Sequence, residues 1–230
     1  MLQQTIRTDS AVPLSVSRKR GEIAALNNLG IVTRYGRNET IFSQGDEAKF
    51  SYKVVEGAVR LSKFLMNGKR QIADFALPGE YFSFDTDSDY TLTAEALTDL
   101  VVIRFPRARV ERLSEEVADV RRQLISNLRR DLQLAQEHLV MLGRQSAKER
   151  VASFLVAIAN RTSAKNGDTI ELPMGRQDIA DYLGLTIETV CRAISDLKQS
   201  GILSVPNRHQ ITLRRLGVLE TLARGTDDEE

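Results

Sequence analysis

The stretch RQDIADYLGLTIETVCRAISDLKQ, from Arg176 to Gln199, decides the fold of the C-terminal part of this chain. It divides into two short amphipathic segments that meet at Gly184, a residue with the backbone freedom that a tight turn needs. Ala180 is small enough for two helices to cross closely, and Thr186 is a good N-cap for the second helix. The stretch therefore predicts a helix-turn-helix, a motif that places its second helix in the major groove of DNA.

The alternative interpretation is a helical hairpin that only fills a core. Both interpretations need the same apolar inward positions, which are Ile179, Leu183, Leu185, Val190, Ala193, Ile194 and Leu197. The second segment also carries outward residues that suit a groove, namely Ile187, Glu188, Thr189, Cys191 and Arg192. Because the small residue, the turn glycine, the apolar positions and the cap all agree, DNA binding is the favoured interpretation.

Composition narrows the class of protein. A length of 230 residues fits two ordinary domains. No apolar stretch reaches the length of a membrane span, and the polar residues that interrupt Met1 to Ser17 are not typical of a signal peptide. We therefore expect a cytoplasmic protein with no membrane partner.

The metal-ligating residue types are scarce. The chain holds one cysteine, Cys191, and two histidines, His138 and His209. One cysteine excludes a disulfide within the chain and an iron–sulfur cluster, which needs about four cysteines. Two histidines do not indicate a structural zinc site, and haem sensing is not expected because His138 lies in the long helical segment and not in the β domain. Since no nucleophile–base pair or phosphate-binding glycine loop occurs either, we expect no enzyme, no catalytic residues and no cofactor.

The charge is distributed unevenly, although the net value is only +1. Residues 144–224 contain twelve Lys or Arg against eight Asp or Glu, which gives this part a modest attraction for DNA phosphates. The segment 225–230 ends in four acidic residues. It is typical of a solvated tail; repulsion of DNA and a role in degradation are the alternatives.

Residues 1–27 are expected to form an N-terminal arm with the start of a short helix, Arg20–Leu29, and residues 28–106 a β domain. In the β domain, runs of β-branched and aromatic residues alternate with glycines every eleven or twelve positions. Asn67-Gly68 is a strong hairpin signal. The predicted strands are Glu39–Phe42, Ser51–Glu56, Ala58–Phe64, Lys69–Ala76, Tyr90–Ala94 and Asp99–Phe105. This spacing indicates a small β-barrel or jelly-roll-like domain.

Residues 107–143 switch to a helical period. A short helix, Arg107–Leu113, leads into a long helix from about Glu115 to Leu142. Two apolar series that each repeat every seven residues form the a/d seam of a coiled coil, namely Ile125, Leu128, Leu132, Ala135, Leu139 and Leu142. The seam predicts a parallel homodimer. The alternative is packing on the β domain, which suits three earlier residues: Val117, Val120 and Leu124.

Residues 144–224 have the element order of a winged helix. Gln145–Ala147 breaks the helical pattern and marks a hinge. The helix-turn-helix is framed by four further predicted elements: the helix Ala147–Arg161, the strand Ile170–Pro173, the hairpin Ile202–Val205 with Gln210–Leu213, and the helix Leu216–Ala223. The hairpin makes the wing. The predicted fold class is therefore α+β, with a β-roll, a long dimerisation helix and a C-terminal winged helix-turn-helix.

This order of elements resembles the Crp–Fnr family of bacterial transcription regulators. Three stretches carry the resemblance: LPGEYF at 77–82, RRQL at 121–124 with SAKERVASF at 146–154, and TIETVCR at 186–192. The resemblance covers nearly the whole chain after the N-terminal arm. It implies a β-roll like that of cyclic-nucleotide-binding domains, a homodimer, a double-stranded DNA partner and recruitment of RNA polymerase through surfaces that the sequence does not locate.

Two differences from well-known members of the family indicate which branch the chain resembles. A cyclic-AMP receptor has a Gly-Glu pair and a downstream Arg-Ser that hold the cyclic phosphate, whereas this chain has Ser83-Phe84 and no arginine in 87–93. The same region is acidic, at Asp85, Asp87 and Asp89. An oxygen-sensing Fnr carries an N-terminal cysteine cluster, which is absent here. The chain therefore resembles the FixK-type branch, which activates genes for micro-oxic respiration, denitrification or nitrogen fixation. A β-roll that binds an unidentified small effector is the alternative.

Glu188 and Arg192 lie one turn apart on the same face of the predicted recognition helix. A carboxylate can accept from cytosine N4–H and a guanidinium can bind guanine O6 and N7, so together they would read one G·C pair. Ile187 would contact a thymine methyl. The resemblance implies a TTGA-type half-site, and a two-fold dimer would bind a palindrome with half-sites about 34 Å apart. The alternative is an intrahelical salt bridge between Glu188 and Arg192.

The remaining candidate residues surround these two. Arg176 and Thr189 are candidates for phosphate contacts, as is Arg208 in the wing, although ordinary solvated surface is the alternative for each. Cys191 is either a small packing residue or a redox brake, because oxidation to sulfinic or sulfonic acid would put negative charge against DNA phosphate. Arg192 beside it would favour the thiolate.

Overall fold

The N-terminal half of the chain folds into two four-stranded antiparallel sheets, which together make the β-roll. The computed structural model describes Leu26 and residues 29–66, 68–84 and 88–225. One sheet has the strand order β1-β8-β3-β6 and the other β2-β7-β4-β5. The strands are β1 (Ile31–Tyr35), β2 (Thr40–Phe42), β3 (Phe50–Glu56), β4 (Val59–Phe64), β5 (Arg70–Ala76), β6 (Tyr81–Phe82), β7 (Thr93–Ala96) and β8 (Leu100–Pro106).

Aromatic side chains fill the space between the two sheets. The ring of Phe42 stacks on Tyr90 with centroids 3.7 Å apart, and Tyr52 stacks on Phe82 at 5.0 Å. The Tyr90 hydroxyl donates to the Phe50 carbonyl at 2.8 Å, so the polar end of this buried ring is satisfied. Burial of each ring contributes about 1.5–3 kcal/mol of transfer free energy, which makes this stack a main source of stability for the β-roll.

Two helices follow the β-roll. Helix α1 (Arg107–Glu116) is separated from helix α2 (Ala118–Arg144) by Val117, whose backbone is extended. Helix α2 is 27 residues long, which corresponds to about 40 Å. Only Val120 and Met141 of α2 are buried, so most of its surface is open to solvent or to a partner.

The C-terminal part is a winged helix built on a three-stranded antiparallel sheet of order β10-β11-β9. In the register of this sheet, Leu203 lies opposite Leu213 and Ile211 lies opposite Ile170. Its elements are α3 (Ala147–Thr162), β9 (Thr169–Glu171), α4 (Arg176–Leu183), α5 (Ile187–Gln199), β10 (Leu203–Asn207), β11 (Gln210–Leu213) and α6 (Leu216–Ala223).

The hinge between α2 and α3 is held by hydrogen bonds rather than left open. Ser146 caps α3 through a capping box, in which its hydroxyl accepts from Glu149 N–H and the Glu149 carboxylate accepts from Ser146 N–H at 2.6 Å. Arg150 donates to the carbonyls of Leu142, Gln145 and Leu183, at 2.9, 2.9 and 3.1 Å. Its positive charge therefore meets the carbonyl ends of both α2 and α4, where a cation is favoured.

A single apolar core joins the winged helix to the β-roll. Leu155, Ile179 and Leu197 belong to it, and so do Ile72 and Phe75 of the β-roll. The two parts of the chain therefore share this buried surface, in addition to the aromatic core that lies within the β-roll alone.

The sequence predicted most of these elements, with several errors in the β-roll. The strand predicted at Tyr90–Ala94 is wrong, since the strand begins at Thr93 and Tyr90 points its ring into the aromatic stack. Strands β1 and β6 were not predicted: β1 is an edge strand with exposed Ile31 and Val32, and β6 has only two residues. The long helix begins at Ala118, three residues later than expected.

Several predictions fall on residues outside the described ranges. They concern the N-terminal arm, most of the helix Arg20–Leu29, Asn67 of the hairpin signal, the acidic positions Asp85 and Asp87, and the tail after Gly225. Leu26, from that helix, is described: it is helical and buried against Phe105 and Val120.

We predict that Gly57→Ala destabilises the β-roll far more than Gly45→Ala. Both glycines have positive φ, +85° and +87°, so each alanine pays about 1–2 kcal/mol of backbone strain. At Gly57 the new Cβ would also lie 2.4 Å from the Asp99 carbonyl oxygen, whereas at Gly45 no heavy atom lies within 4 Å. We expect Gly57→Ala to cost about 2 kcal/mol more in urea unfolding; equal losses would contradict the clash.

Candidate DNA-binding site

The outward face of α5 is the candidate site, and its inward face holds the helix in place. Val190, Ala193, Ile194 and Leu197 are buried at three- and four-residue spacing, so one side of α5 packs on the core. Glu188, Cys191, Arg192 and Ser195 are exposed on the other side.

The turn before α5 has the geometry that the sequence predicted. Gly184 ends α4 with φ +62° and ψ 35°, the left-handed conformation that favours glycine. The Leu185 N–H donates to the Ala180 carbonyl at 3.0 Å, and Ala180 itself is buried. Thr186 is the N-cap of α5, since its hydroxyl accepts from the Thr189 N–H at 3.2 Å.

Glu188 and Arg192 both project from the exposed face without an ion pair between them. Among the described residues, the ion pairs of the chain do not include Glu188 or Arg192. Hydrogen bonds from its own backbone N–H and from the Thr186 hydroxyl lower the pKa of the Glu188 carboxyl. Glu188 is therefore a carboxylate at neutral pH and an acceptor for a base-edge donor.

The other predicted residues differ in exposure. Arg208 is exposed at the tip of the wing, while Ile187 and Thr189 are half-buried at the start of α5. The Thr189 hydroxyl lies 3.0 Å from that of Thr186. Ser195 is exposed about two turns after Glu188 on the same face and was not predicted as a site residue. Ser195 lies three residues after Arg192, a spacing that places both residues on the same face of a helix and could have identified it from the sequence.

Arg176 departs most from expectation. It is half-buried at the start of α4, and its Nη1 atom is buried without a hydrogen-bond partner in the described structure. Burial lowers the pKa of the Arg176 guanidinium, and the nearby Cys191 raises it. The Cys191 thiol itself is exposed on α5.

A second concave region lies between the β-roll and α2. This cavity has a volume of about 500 Å³, and its described lining contains Asp74, Asp131 and His138 but no Lys or Arg. Burial raises the pKa of Asp74 to about 6, although Arg161 acts in the opposite direction. Burial also lowers the pKa of His138. Near neutral pH the lining is therefore acidic, which disfavours a bound phosphate.

The predicted seam along α2 is largely uncovered in a single chain. Leu132 is 60% exposed and Leu139 is 70% exposed. Ile125, Leu128 and Ala135 are exposed as well. Leu142 differs, because it is half-buried against the core of its own winged helix.

Two kinds of site are not formed by the described residues. No group of three or more His, Cys, Asp or Glu side chains among them is arranged to hold a metal ion. Within the same ranges, every helix is too short or too polar to cross a membrane.

Comparison with known proteins agrees with this architecture. Residues 32–116 match the cyclic nucleotide-binding domain family and residues 149–222 match the Crp-like helix-turn-helix domain family. The nitrogen fixation regulation protein FixK of Bradyrhizobium diazoefficiens is 40% identical over 186 residues, which cover 80% of this chain and 78% of that protein. The chain belongs to the Crp–Fnr family. It is thus a transcription regulator with a helix-turn-helix DNA-binding domain, as its sequence predicted.

Further Crp–Fnr relatives match over most of their length. FixK of Rhizobium meliloti is 36% identical over 212 residues, which cover 92% of this chain and 96% of that protein. The solved structure of FixK2 from Bradyrhizobium japonicum has a TM-score of 0.80 and 39% identity, and the match covers 84% of this chain and 96% of that chain. These relatives are named as regulators and not as enzymes, in agreement with the expectation from the sequence.

Proposed function

We propose that this chain is a FixK-type transcription activator that binds a TTGA-type palindrome as a homodimer. The observation that carries the proposal is the exposed face of α5, where Glu188 and Arg192 are available to bases. By analogy with the relatives named for nitrogen fixation, we infer that its target genes serve micro-oxic respiration or nitrogen fixation. Recruitment of RNA polymerase and a cytoplasmic location follow from the role of an activator.

The proposed base contacts follow from the chemistry of the two side chains. The Arg192 guanidinium donates to guanine O6 and N7, and the Glu188 carboxylate accepts from the N4–H of the paired cytosine. Ile187 packs on a thymine methyl. Thr186, Thr189 and Cys191 lie at the start of α5 with this pair, and Arg208 lies in the wing. We propose that these four residues approach the DNA backbone. Arg176 is half-buried, so we propose that its side chain has to move outward before it can contact a phosphate.

We predict that Arg192→Ala abolishes discrimination between TTGA and TTAA half-sites, whereas Arg208→Ala does not. Loss of one bidentate base contact costs about 1–3 kcal/mol of discrimination. Loss of a phosphate contact weakens binding to both sequences equally and reduces the salt slope by about one. Fluorescence anisotropy with TTGA-N6-TCAA and TTAA-N6-TTAA duplexes, at several salt concentrations and with reduced protein and no added ligand, measures both effects.

Two results would count against this function. If Arg192→Ala keeps the wild-type preference, Arg192 does not read the base. If the wild-type protein binds both duplexes weakly and equally, either the operator is wrong or a ligand is missing. The second case would favour the alternative function, a regulator whose cavity between the β-roll and α2 binds a small effector. The acidic lining of that cavity favours a neutral or cationic effector over a cyclic nucleotide.

The homodimer is supported by the seam on α2. Large aliphatic side chains rarely stay this exposed along one stripe of a helix unless a partner covers them. A second copy of α2 in parallel would cover Ile125, Leu128, Leu132, Ala135 and Leu139, and would extend to Leu142 at the end of the seam. On this basis we infer chain divisions near 106 and 144, with residues 107–143 as the dimerisation helix.

We predict that Leu139→Glu dissociates the dimer and that Val140→Glu does not. The two neighbouring residues are 70% and 63% exposed in one chain, but they point about 100° apart around the helix, so only Leu139 lies in the seam. A buried, unpaired glutamate in each protomer is expected to raise the dimer Kd at least about 100-fold. Sedimentation equilibrium measures this; equal effects of both variants would contradict the seam.

We also propose that Cys191 is a redox brake on DNA binding. Two equivalents of hydrogen peroxide convert the neutral thiol to a sulfinate, and two waters and one proton are released. The added negative charge would then face the DNA phosphates and weaken binding by repulsion. A disulfide between the two recognition helices of one dimer is not expected, because they lie too far apart.

We predict that peroxide abolishes operator binding by the wild-type protein and spares Cys191→Ser. Serine has nearly the same size as cysteine and is not oxidised by peroxide, so Cys191→Ser is the matched control for the thiol. Reduced wild-type protein is the reference for full binding. Anisotropy before and after peroxide treatment measures the loss, and mass spectrometry identifies the oxidised residue. A Cys191→Ser protein that loses binding to the same extent would rule out the brake.

A further inference from the structure

Four charged side chains join the β-roll to the first helix of the helix-turn-helix. They are Arg60 on β4, Arg70 on β5, and Asp178 and Asp181 on α4, and we call them the arginine–aspartate cluster. Arg70 donates to Asp178 at 2.7 Å and to Asp181 at 2.8 Å, and Arg60 donates to Asp178 at 3.2 Å. These pairs connect residues more than one hundred positions apart in the sequence.

The cluster is enclosed and fixed on both sides. The side chains of Arg60, Arg70, Asp178 and Asp181 are only 14, 18, 12 and 15% exposed, so they are screened little by solvent. Arg60 is also held by Glu95 within the β-roll at 3.0 Å. Asp178 accepts from the Gly175 N–H at 3.1 Å. Arg60 and Asp178 are therefore each held within their own part of the chain as well as across the contact.

Neighbouring contacts attach the other end of α4 to the same surface. The carbonyl of Tyr182 is 2.9 Å from the His138 ring of α2 and accepts from Gln71 of β5 at 3.3 Å. The rings of His138 and Tyr182 are stacked with centroids 4.0 Å apart. Helix α4 is thus fixed along its length, which sets its direction relative to α2.

This attachment leaves the recognition face free. The cluster uses α4, while Glu188, Cys191 and Arg192 on α5 stay exposed. The seam residues Leu132 and Leu139 stay exposed in the same arrangement. One conformation of the chain therefore presents both the DNA face and the dimer face.

We propose that the arginine–aspartate cluster positions the recognition helix for DNA without touching DNA. Two recognition helices must lie about one helical turn apart to engage both half-sites. If the winged helix turned freely on its hinge, only a fraction of dimers would match that spacing, and the apparent Kd would rise in inverse proportion to that fraction. The cluster keeps that fraction high. This proposal rests on the proposed function.

The test measures orientation directly, with nitroxide labels on the native Cys191 and on a cysteine introduced by Gln44→Cys. Cys191 is the only native cysteine, and Gln44 lies in an exposed loop of the β-roll. Labelled chains are diluted with unlabelled chains, so that dipolar EPR reports the distance within one chain. We expect one narrow distance distribution for the parent protein.

Substitution of Arg70 separates positioning from general damage. Arg70→Met should broaden the distance distribution and weaken binding to the palindrome by about tenfold, if about one dimer in ten remains aligned. Its preference for TTGA over TTAA should persist, because the base-reading residues are untouched. Arg70→Lys, which keeps the charge, should restore most of the narrow distribution. The matched control is Arg34→Met, an exposed arginine on β1 of the same β-roll, which should change neither measurement.

Two outcomes would decide against the proposal. An unchanged distribution in both Arg70→Met and Asp181→Asn would mean that other contacts hold the helix. A broadened distribution with tighter DNA binding would mean that the cluster restrains the protein instead of aligning it. If the parent protein fails to bind the palindrome, the proposed function fails, while the distance distributions still decide whether the cluster fixes α4.

Discussion

The burial of one face of α5 is the constraint on which the rest of the structure depends. Val190 and Leu197 lie in the core that α3 and α4 build, so the opposite face of the helix has to point outward. The left-handed turn at Gly184 and the cap at Thr186 set where the helix begins. The placement of the proposed base-reading residues is thus a result of packing, because they are the residues of α5 that the core does not bury.

Helix α2 serves two surfaces that differ in character. Its inner side, with Val120 and Met141, packs on its own chain, while its seam has little to contact there. A helix of this length with only two buried residues gains little stability alone. The same helix therefore connects the β-roll, the hinge and the proposed dimer interface. At its C-terminal end, Arg150 donates a hydrogen bond to the Leu142 carbonyl.

The sequence was most informative where structure is local. The helix-turn-helix, the wing and α6 follow from spacing, caps and turn residues within short stretches. The β-roll was harder, because Tyr90 looks like a strand residue but its ring is taken by the aromatic stack. The partners of Arg60 and Arg70 could not be predicted, since an arginine on a strand carries no signal for an aspartate a hundred residues later. The burial of Arg176 likewise depends on tertiary packing.

The shared core described above limits how this protein can exchange parts with its relatives. Because Ile72 and Phe75 of the β-roll lie in the same apolar cluster as the winged helix, recombination at the hinge would leave each half facing an unfamiliar surface. A winged helix transferred to another relative would need Ile72 and Phe75, or close equivalents, on the β-roll of that relative. We therefore expect such a chain to evolve by coordinated substitutions on both sides of the contact between the β-roll and the winged helix, and not by exchange of whole domains.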